Sequence, residues 1–217
     1  MLNAFGKQNW WPADSPFEVI IGAILTQQTS WKNVEKAISN LKNKKEVNPE
    51  SINNLDSEEL ESLIKPSGFY RIKAKRLKNF ITYFIKTYNG KVKTMSEVDS
   101  MNLRKELLNI KGIGKETADS ILLYALNKDI FVVDNYTKRI FYRLGVIETN
   151  DYEQIREIFE AGLKEQDKNN TIYNFKEMHA LTVELGKTYC RKNPICIKCP
   201  LVSMCKKKGV KNEYGWN

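Results

Sequence analysis

The chain has 217 residues, enough to bury a substantial core as one large domain or two small ones. Lysine and arginine number 35 against 26 aspartates and glutamates, a formal charge of +9 that points to a polyanionic partner, nucleic acid first and an anionic membrane surface second. No apolar run approaches the roughly 20 residues that a membrane-spanning helix needs, and Met1-Leu2-Asn3-Ala4-Phe5-Gly6-Lys7 lacks the apolar core of a signal peptide. A soluble, cytoplasmic monomer is expected, with no membrane partner and with nucleoid association if the source is prokaryotic. All four cysteines fall between positions 190 and 205, which excludes a disulfide framework spread through a secreted fold.

Along the chain, apolar residues recur at helical spacing over 16–25, 29–41, 57–64, 72–88, 101–108, 118–126 and 136–144. The sequence Asp56-Ser57-Glu58-Glu59 matches a capping box. Pro66-Ser67-Gly68 breaks one helical pattern from the next, Asn89-Gly90 ends that next one, and Gly145 closes a later one. Ile130-Phe131-Val132-Val133 favours β structure, but four residues between helical patterns read as an extended, buried connector. The fold predicted is all-α. The lysine runs over 42–45 and 206–208 read as solvated surface.

The segment Leu107-Leu108-Asn109-Ile110-Lys111-Gly112-Ile113-Gly114-Lys115-Glu116-Thr117 passes from one helix to another through Gly-Ile-Gly. Two glycines allow backbone turns that a Cβ disfavours, Ile113 can tuck between the helices, and the amides of Gly112, Gly114 and Lys115 are left at a helix N-terminus, where a phosphate oxygen is favoured. Such a clamp holds a DNA backbone without reading bases. Alone it is equally a structural turn. About twenty residues on, Val132-Val133-Asp134-Asn135-Tyr136-Thr137 places an acid at the start of a helix, where Asp134 also suits an N-cap. Cys190-x5-Cys196-x2-Cys199-x5-Cys205, with Pro200 after the third, can reach one metal centre, and the spacing leaves zinc and iron–sulfur open.

Hairpin, interval and Val-Asp before a helix resemble the endonuclease III superfamily of helix-hairpin-helix DNA glycosylases. That resemblance implies catalysis by Asp134, which stabilises an oxocarbenium-like sugar or orients water, and DNA contacts from Gly112, Gly114 and Lys115. The early segment Phe17-Glu18-Val19-Ile20-Ile21-Gly22-Ala23-Ile24-Leu25-Thr26-Gln27-Gln28-Thr29 is similar to the helix whose glutamine enters the space left by a flipped nucleotide, which makes Gln27 the wedge. The resemblance implies a [4Fe–4S] cluster on Cys190, Cys196, Cys199 and Cys205, although the family pattern has one more residue in the first gap. Members that cleave the strand carry a lysine where this chain has Glu116. A carboxylate forms no imine, so simple hydrolysis is expected.

Trp-Trp-Pro, Leu-Thr-Gln-Gln-Thr and Lys65-Pro66-Ser67-Gly68-Phe69-Tyr70 look like the 3-methyladenine branch, and three of the four tryptophans fall in the first 31 residues. By that comparison Trp10, Trp11, Trp31 and Lys187 line the base pocket, and the partner is double-stranded DNA holding a damaged base. Aromatic faces suit a cationic ring. His179 is expected only to pack or to hydrogen-bond. The architecture expected is a central helical lobe over 16–127 and a second lobe of 1–15 with 128–217, DNA lying in the cleft between them. Two rival readings are a glycosylase for oxidised pyrimidines or mismatched thymine on the same scaffold and a DNA-binding or damage-sensing module without turnover.

Overall fold

A computed structural model describes residues 1–44 and 47–210; Lys45, the last of the first lysine run, lies outside them. The described residues contain no strand. Their α-helices are α1 (Leu2–Phe5), α2 (Pro16–Leu25), α3 (Trp31–Lys44), α4 (Pro49–Asn54), α5 (Ser57–Ile64), α6 (Tyr70–Tyr88), α7 (Val92–Ser96), α8 (Ser100–Leu108), α9 (Lys115–Ser120), α10 (Asn135–Leu144), α11 (Tyr152–Gln166) and α12 (Thr171–Thr188). The chain divides into a unit of Trp11–Asp129 and a discontinuous unit of Met1–Trp10 with Ile130–Asn217.

In the Trp11–Asp129 unit, α2 is buried from Phe17 to Leu25, and apart from Glu18, which pairs with Lys42 at 2.8 Å, these residues are apolar, as befits a central helix. Ser15 caps it by accepting the Glu18 amide at 3.2 Å, and Pro16 occupies the first turn, where its missing N–H costs nothing. The apolar stripe of α6 (Ala74, Leu77, Phe80, Ile81, Phe84, Tyr88) is buried, with Phe80 on Phe84 at 5.5 Å and Phe84 on Phe17 at 6.0 Å. Asp56 accepts the Glu59 amide at 2.7 Å, the capping contact its sequence predicts.

Lys73 of α6 is buried to 1 % exposure, and its ammonium donates to the carbonyls of Leu25 (2.8 Å) and Ser67 (2.6 Å). Burial and the nearby Arg76 charge push its pKa down to about 8. Its two bonds tie the C-terminal end of α2 to the turn before α6. Arg104 of α8 meets Asp119 of α9 through paired contacts of 2.6 and 3.1 Å, both residues being buried, and so straps together the helices flanking the Gly-Ile-Gly turn. The unit extends beyond the 16–127 expected for it, because the Trp11 ring packs on Trp31 and Tyr124, while Lys128 bonds to the carbonyls of Val98 and Leu122.

In the other unit, Ile130–Val133 is extended and buried, as its composition predicts. It needs no partner strand because side chains of α11 take its amides. Glu160 accepts from Phe131 N at 2.9 Å, and the Tyr152 hydroxyl accepts from Val133 N at 3.3 Å. Phe131 stacks on Phe159 at 4.6 Å and meets Phe175 of α12 edge-on at 5.7 Å. Helices α10 and α12 pack at Gly186, where a Cβ would stand 2.1 Å from the Tyr136 ring, so only glycine fits.

Candidate functional site: a phosphate hairpin and a buried carboxylate

Between α8 and α9 the backbone turns at Gly112, whose φ of 102° belongs to the glycine region and whose Cβ would lie 2.3 Å from Arg76 Cγ. Ile113 is buried beneath the turn. The second glycine differs from the sequence expectation: Gly114 has φ −94°, which any residue adopts, and a Cβ there would meet nothing. Gly112 completes the turn by itself, and Gly114 leaves its stretch of backbone bare before the exposed Lys115 and Glu116. The structure ties Gln27 to this hairpin. Its carboxamide donates to the Gly112 carbonyl at 3.1 Å and to Thr117 Oγ1 at 2.9 Å, and its oxygen accepts from the Arg76 guanidinium.

Sequence reasoning passed over Phe69. It holds a left-handed φ of 47° and is 62 % exposed, an unusual state for a bulky aromatic residue. The signal lay in Pro66-Ser67-Gly68, which ends in a tight turn that leaves the next side chain outside the core. Elsewhere in the same unit, Trp11 meets Trp31 at 5.2 Å and Tyr124 at 5.1 Å, both edge-to-face. Tyr124 belongs to a π-helical turn, Ile121–Ala125, that continues α9. The buried Trp31 indole N–H has no hydrogen-bond partner among the described residues.

In the discontinuous unit, Asp134 is the N-cap of α10 and is 8 % exposed. One carboxylate oxygen accepts from Thr137 N at 2.7 Å and Thr137 Oγ1 at 2.8 Å, and the other stands 3.6 Å from His179 Nε2. Burial pushes the carboxyl upward, but the His179 ring and the two Thr137 donors more than reverse this and hold it below the usual aspartate range. Capping thus uses one oxygen of the side chain and leaves the other facing the His179 ring. Trp10 lies edge-to-face on His179 at 6.0 Å, and the Lys187 ammonium sits 5.3 Å from the Trp10 ring centroid. Among the described residues, the structure therefore gathers Asp134, His179, Trp10 and Lys187. Of the two roles expected of His179, packing or hydrogen bonding, its place against the carboxylate fits the second. It is the chain's single histidine and stands two helical turns before Lys187 on α12, a spacing that puts both on one face.

The four cysteines form no disulfide, and together they line one partly open cavity of about 30 Å³ with Arg143, Tyr189, Pro194, Val202, Lys207 and Val210. Arg143 donates to Cys190 Sγ at 3.3 Å, and the Lys207 amide donates to Cys205 Sγ at 3.4 Å. Burial and the three neighbouring sulfurs push the Cys199 thiol up, against a lowering contact from the Leu201 amide. Thiolates so placed repel one another until a cation is supplied. No group of three or more His, Cys, Asp or Glu side chains among the described residues is drawn together to hold a metal ion.

Residues 21–165 match the family model of the HhH-GPD superfamily base excision DNA repair proteins. A Methanocaldococcus jannaschii protein, described as a candidate DNA repair glycosylase, is 52 % identical over 96 % of this chain and 93 % of its own. The crystal structure of the Helicobacter pylori 3-methyladenine DNA glycosylase bound to 1,N6-ethenoadenine is similar at a TM-score of 0.74 and 36 % identity, over 82 % of this chain and 87 % of that one. A non-covalent endonuclease III–DNA complex is similar at 0.76 and 26 % identity, over 95 % and 90 %. The hairpin and the N-capping aspartate lie inside the matched span, and the chain belongs to the HhH-GPD superfamily as a DNA glycosylase of base excision repair.

Proposed function

We propose that this glycosylase hydrolyses the N-glycosidic bond of alkylated purines such as 3-methyladenine in double-stranded DNA, without cleaving the strand. One observation carries the reading: beside the Asp134–His179 pair, the face of Trp10 already receives a cation, the Lys187 ammonium at 5.3 Å. The electron-rich face that attracts the ammonium suits a cationic ring taking its place, and an N3-methylated adenine is positively charged. Such a base leaves as a neutral molecule and needs little acid assistance. Asp134, ionised at neutral pH, then stabilises the positive charge growing on the sugar, and water completes the hydrolysis. Glu116 is exposed on the first turn of α9 and cannot form a Schiff base. Gly112, Gly114 and Lys115 hold phosphate, and Phe69, held outward at its strained φ, suits insertion between base steps. The similarity to the Helicobacter pylori enzyme supports the same substrate class.

Product analysis of methylated duplex DNA tests this. Free 3-methyladenine and uncut abasic strands are expected, with no adduct trapped by borohydride. Preferential release of oxidised pyrimidines would overturn the substrate class, a trapped adduct would implicate an amine such as Lys115 or Lys187, and no abasic product from any substrate would leave only a DNA-binding module.

The cysteine cavity supports a [4Fe–4S] cluster held by Cys190, Cys196, Cys199 and Cys205. Four thiols disposed around a shared space suit a cluster in which each thiolate takes its own iron, and the Arg143 and Lys207 donors to sulfur are the contacts that stabilise such a charge. In a hydrolytic enzyme the cluster supplies structure. The purified protein is expected to be brown, absorbing at roughly 400 nm with about four irons per chain. Stoichiometric zinc in protein prepared anaerobically would favour a closed tetrahedral site instead.

A further inference from the structure

Glu177 of α12 is a buried carboxylate, 7 % exposed, whose work lies outside the reaction described above. Its two oxygens accept the backbone amides of Gln8 (2.9 and 3.2 Å) and Asn9 (2.9 Å), residues 169 and 168 positions earlier in the chain. Asn9 is held at a left-handed φ of 50° between them and Trp10. A carboxylate that loses its water is retained where charge-assisted bonds replace it, and consecutive amides aimed at one acid do so. Asparagine adopts this left-handed region more readily than other residues with a side chain, so the turn at Asn9 costs little and lets two consecutive amides converge on one acid. The Gln8 side chain adds bonds to the Phe5 and Gly6 carbonyls, and the Phe5 ring meets Tyr189 at 6.1 Å, so the arm is fastened on both sides of the clamp. The residue delivered next is Trp10, against His179 and under Lys187.

We infer that Glu177 is a positioning residue for base recognition: its carboxylate grips the N-terminal arm through the Gln8 and Asn9 amides and thereby sets the Trp10 face beside the Asp134–His179 pair. This rests on Trp10 being part of the base-recognition site, as proposed above. The device explains how recognition can depend on Trp10, a residue outside any helix. The arm need not fold by itself, because α12 supplies the acid that orders it.

Three variants test the inference: Glu177→Ala, the conservative Glu177→Gln and Trp10→Ala, with the Trp10→Ala/Glu177→Ala pair. Single-turnover excision is measured on whichever lesion the wild-type enzyme releases best, so that a wrong substrate class does not decide the outcome. Excision by Glu177→Ala is expected to fall about ten-fold, the scale of one lost charge-assisted bond. Trp10→Ala should lose a similar factor, and the double variant little more than either. Hydrogen exchange should show the Gln8 and Asn9 amides deprotected in Glu177→Ala, while those of α10 and α12 keep their protection. Glu177→Gln, which retains one acceptor oxygen, should fall between. Wild-type excision by Glu177→Ala, or fully multiplicative losses in the double variant, would overturn the inference. If Glu177→Ala unfolds, exchange and excision by Glu177→Gln decide: wild-type protection of the arm amides together with reduced excision would overturn it equally. Failure of the base-site reading shows separately, as a Trp10→Ala enzyme with undiminished excision.

Discussion

Asp134→Asn is expected to lower base excision on the order of 10³-fold while leaving affinity for DNA intact, because the substitution removes the charge that faces the sugar cation and keeps the shape. The retained carboxamide oxygen can still accept from Thr137, so α10 keeps its cap and the fold should survive. The measurement is single-turnover excision alongside binding to an abasic-site duplex and the thermal midpoint. Activity within ten-fold of wild type would remove Asp134 from the chemistry. The pH dependence follows the same geometry. Since His179 and Thr137 outweigh burial and hold this carboxyl below the ordinary range, it stays ionised as pH falls, and its loss of charge should appear only below the usual aspartate value of about 3.9.

The largest effect on stability is expected at the strap across the hairpin. Arg104→Met would leave the Asp119 carboxylate, at 0 % exposure, without the guanidinium that now meets both of its oxygens. Breaking a buried pair from one side costs about 3–5 kcal/mol, which in a chain of this length lowers the melting midpoint by roughly 10 °C. Arg104→Met/Asp119→Leu, which removes both charges, should recover much of that. A single variant melting within about 2 °C of wild type would show that the pair contributes little. Hairpin-dependent DNA binding should weaken with the single variant, because α8 and α9 set the angle at which Gly112 turns.

The helices that carry a clean apolar period were legible in the sequence. Pro16–Leu25 and Ser57–Ile64 coincide with the expected spans, and the Asp56 cap and the closures at Asn89 and Gly145 follow from local chemistry. Helices α11 and α12 were not singled out. In both the apolar residues are interrupted by buried charged or polar ones: Arg156 paired along its own helix with Glu153 and Glu160, Glu177 under the arm, and His179 against Asp134. A periodicity argument treats such residues as surface. The site shows the same limit. Asp134 was visible because an acid before a helix carries two meanings, each with a known pattern, whereas His179 and Glu177 take theirs from partners more than forty residues away. The role of Gly114 was misread because spacing alone cannot tell a glycine needed for φ from one needed for bareness.

The discontinuity of the second unit bears on how a cell makes this protein. Trp11–Asp129 is a continuous stretch and can close as it leaves the ribosome. The other unit cannot: the arm emerges first and waits for Glu177, and the amides of Phe131 and Val133 wait for Glu160 and Tyr152. Translation halted between α10 and α12 would therefore yield a polypeptide with the Gly-Ile-Gly hairpin and Asp134 in its sequence, but with neither the carboxylate's histidine nor a fastened arm. On the reading proposed above, such a fragment would bind DNA without excising a base, and α12 is the helix that completes the site.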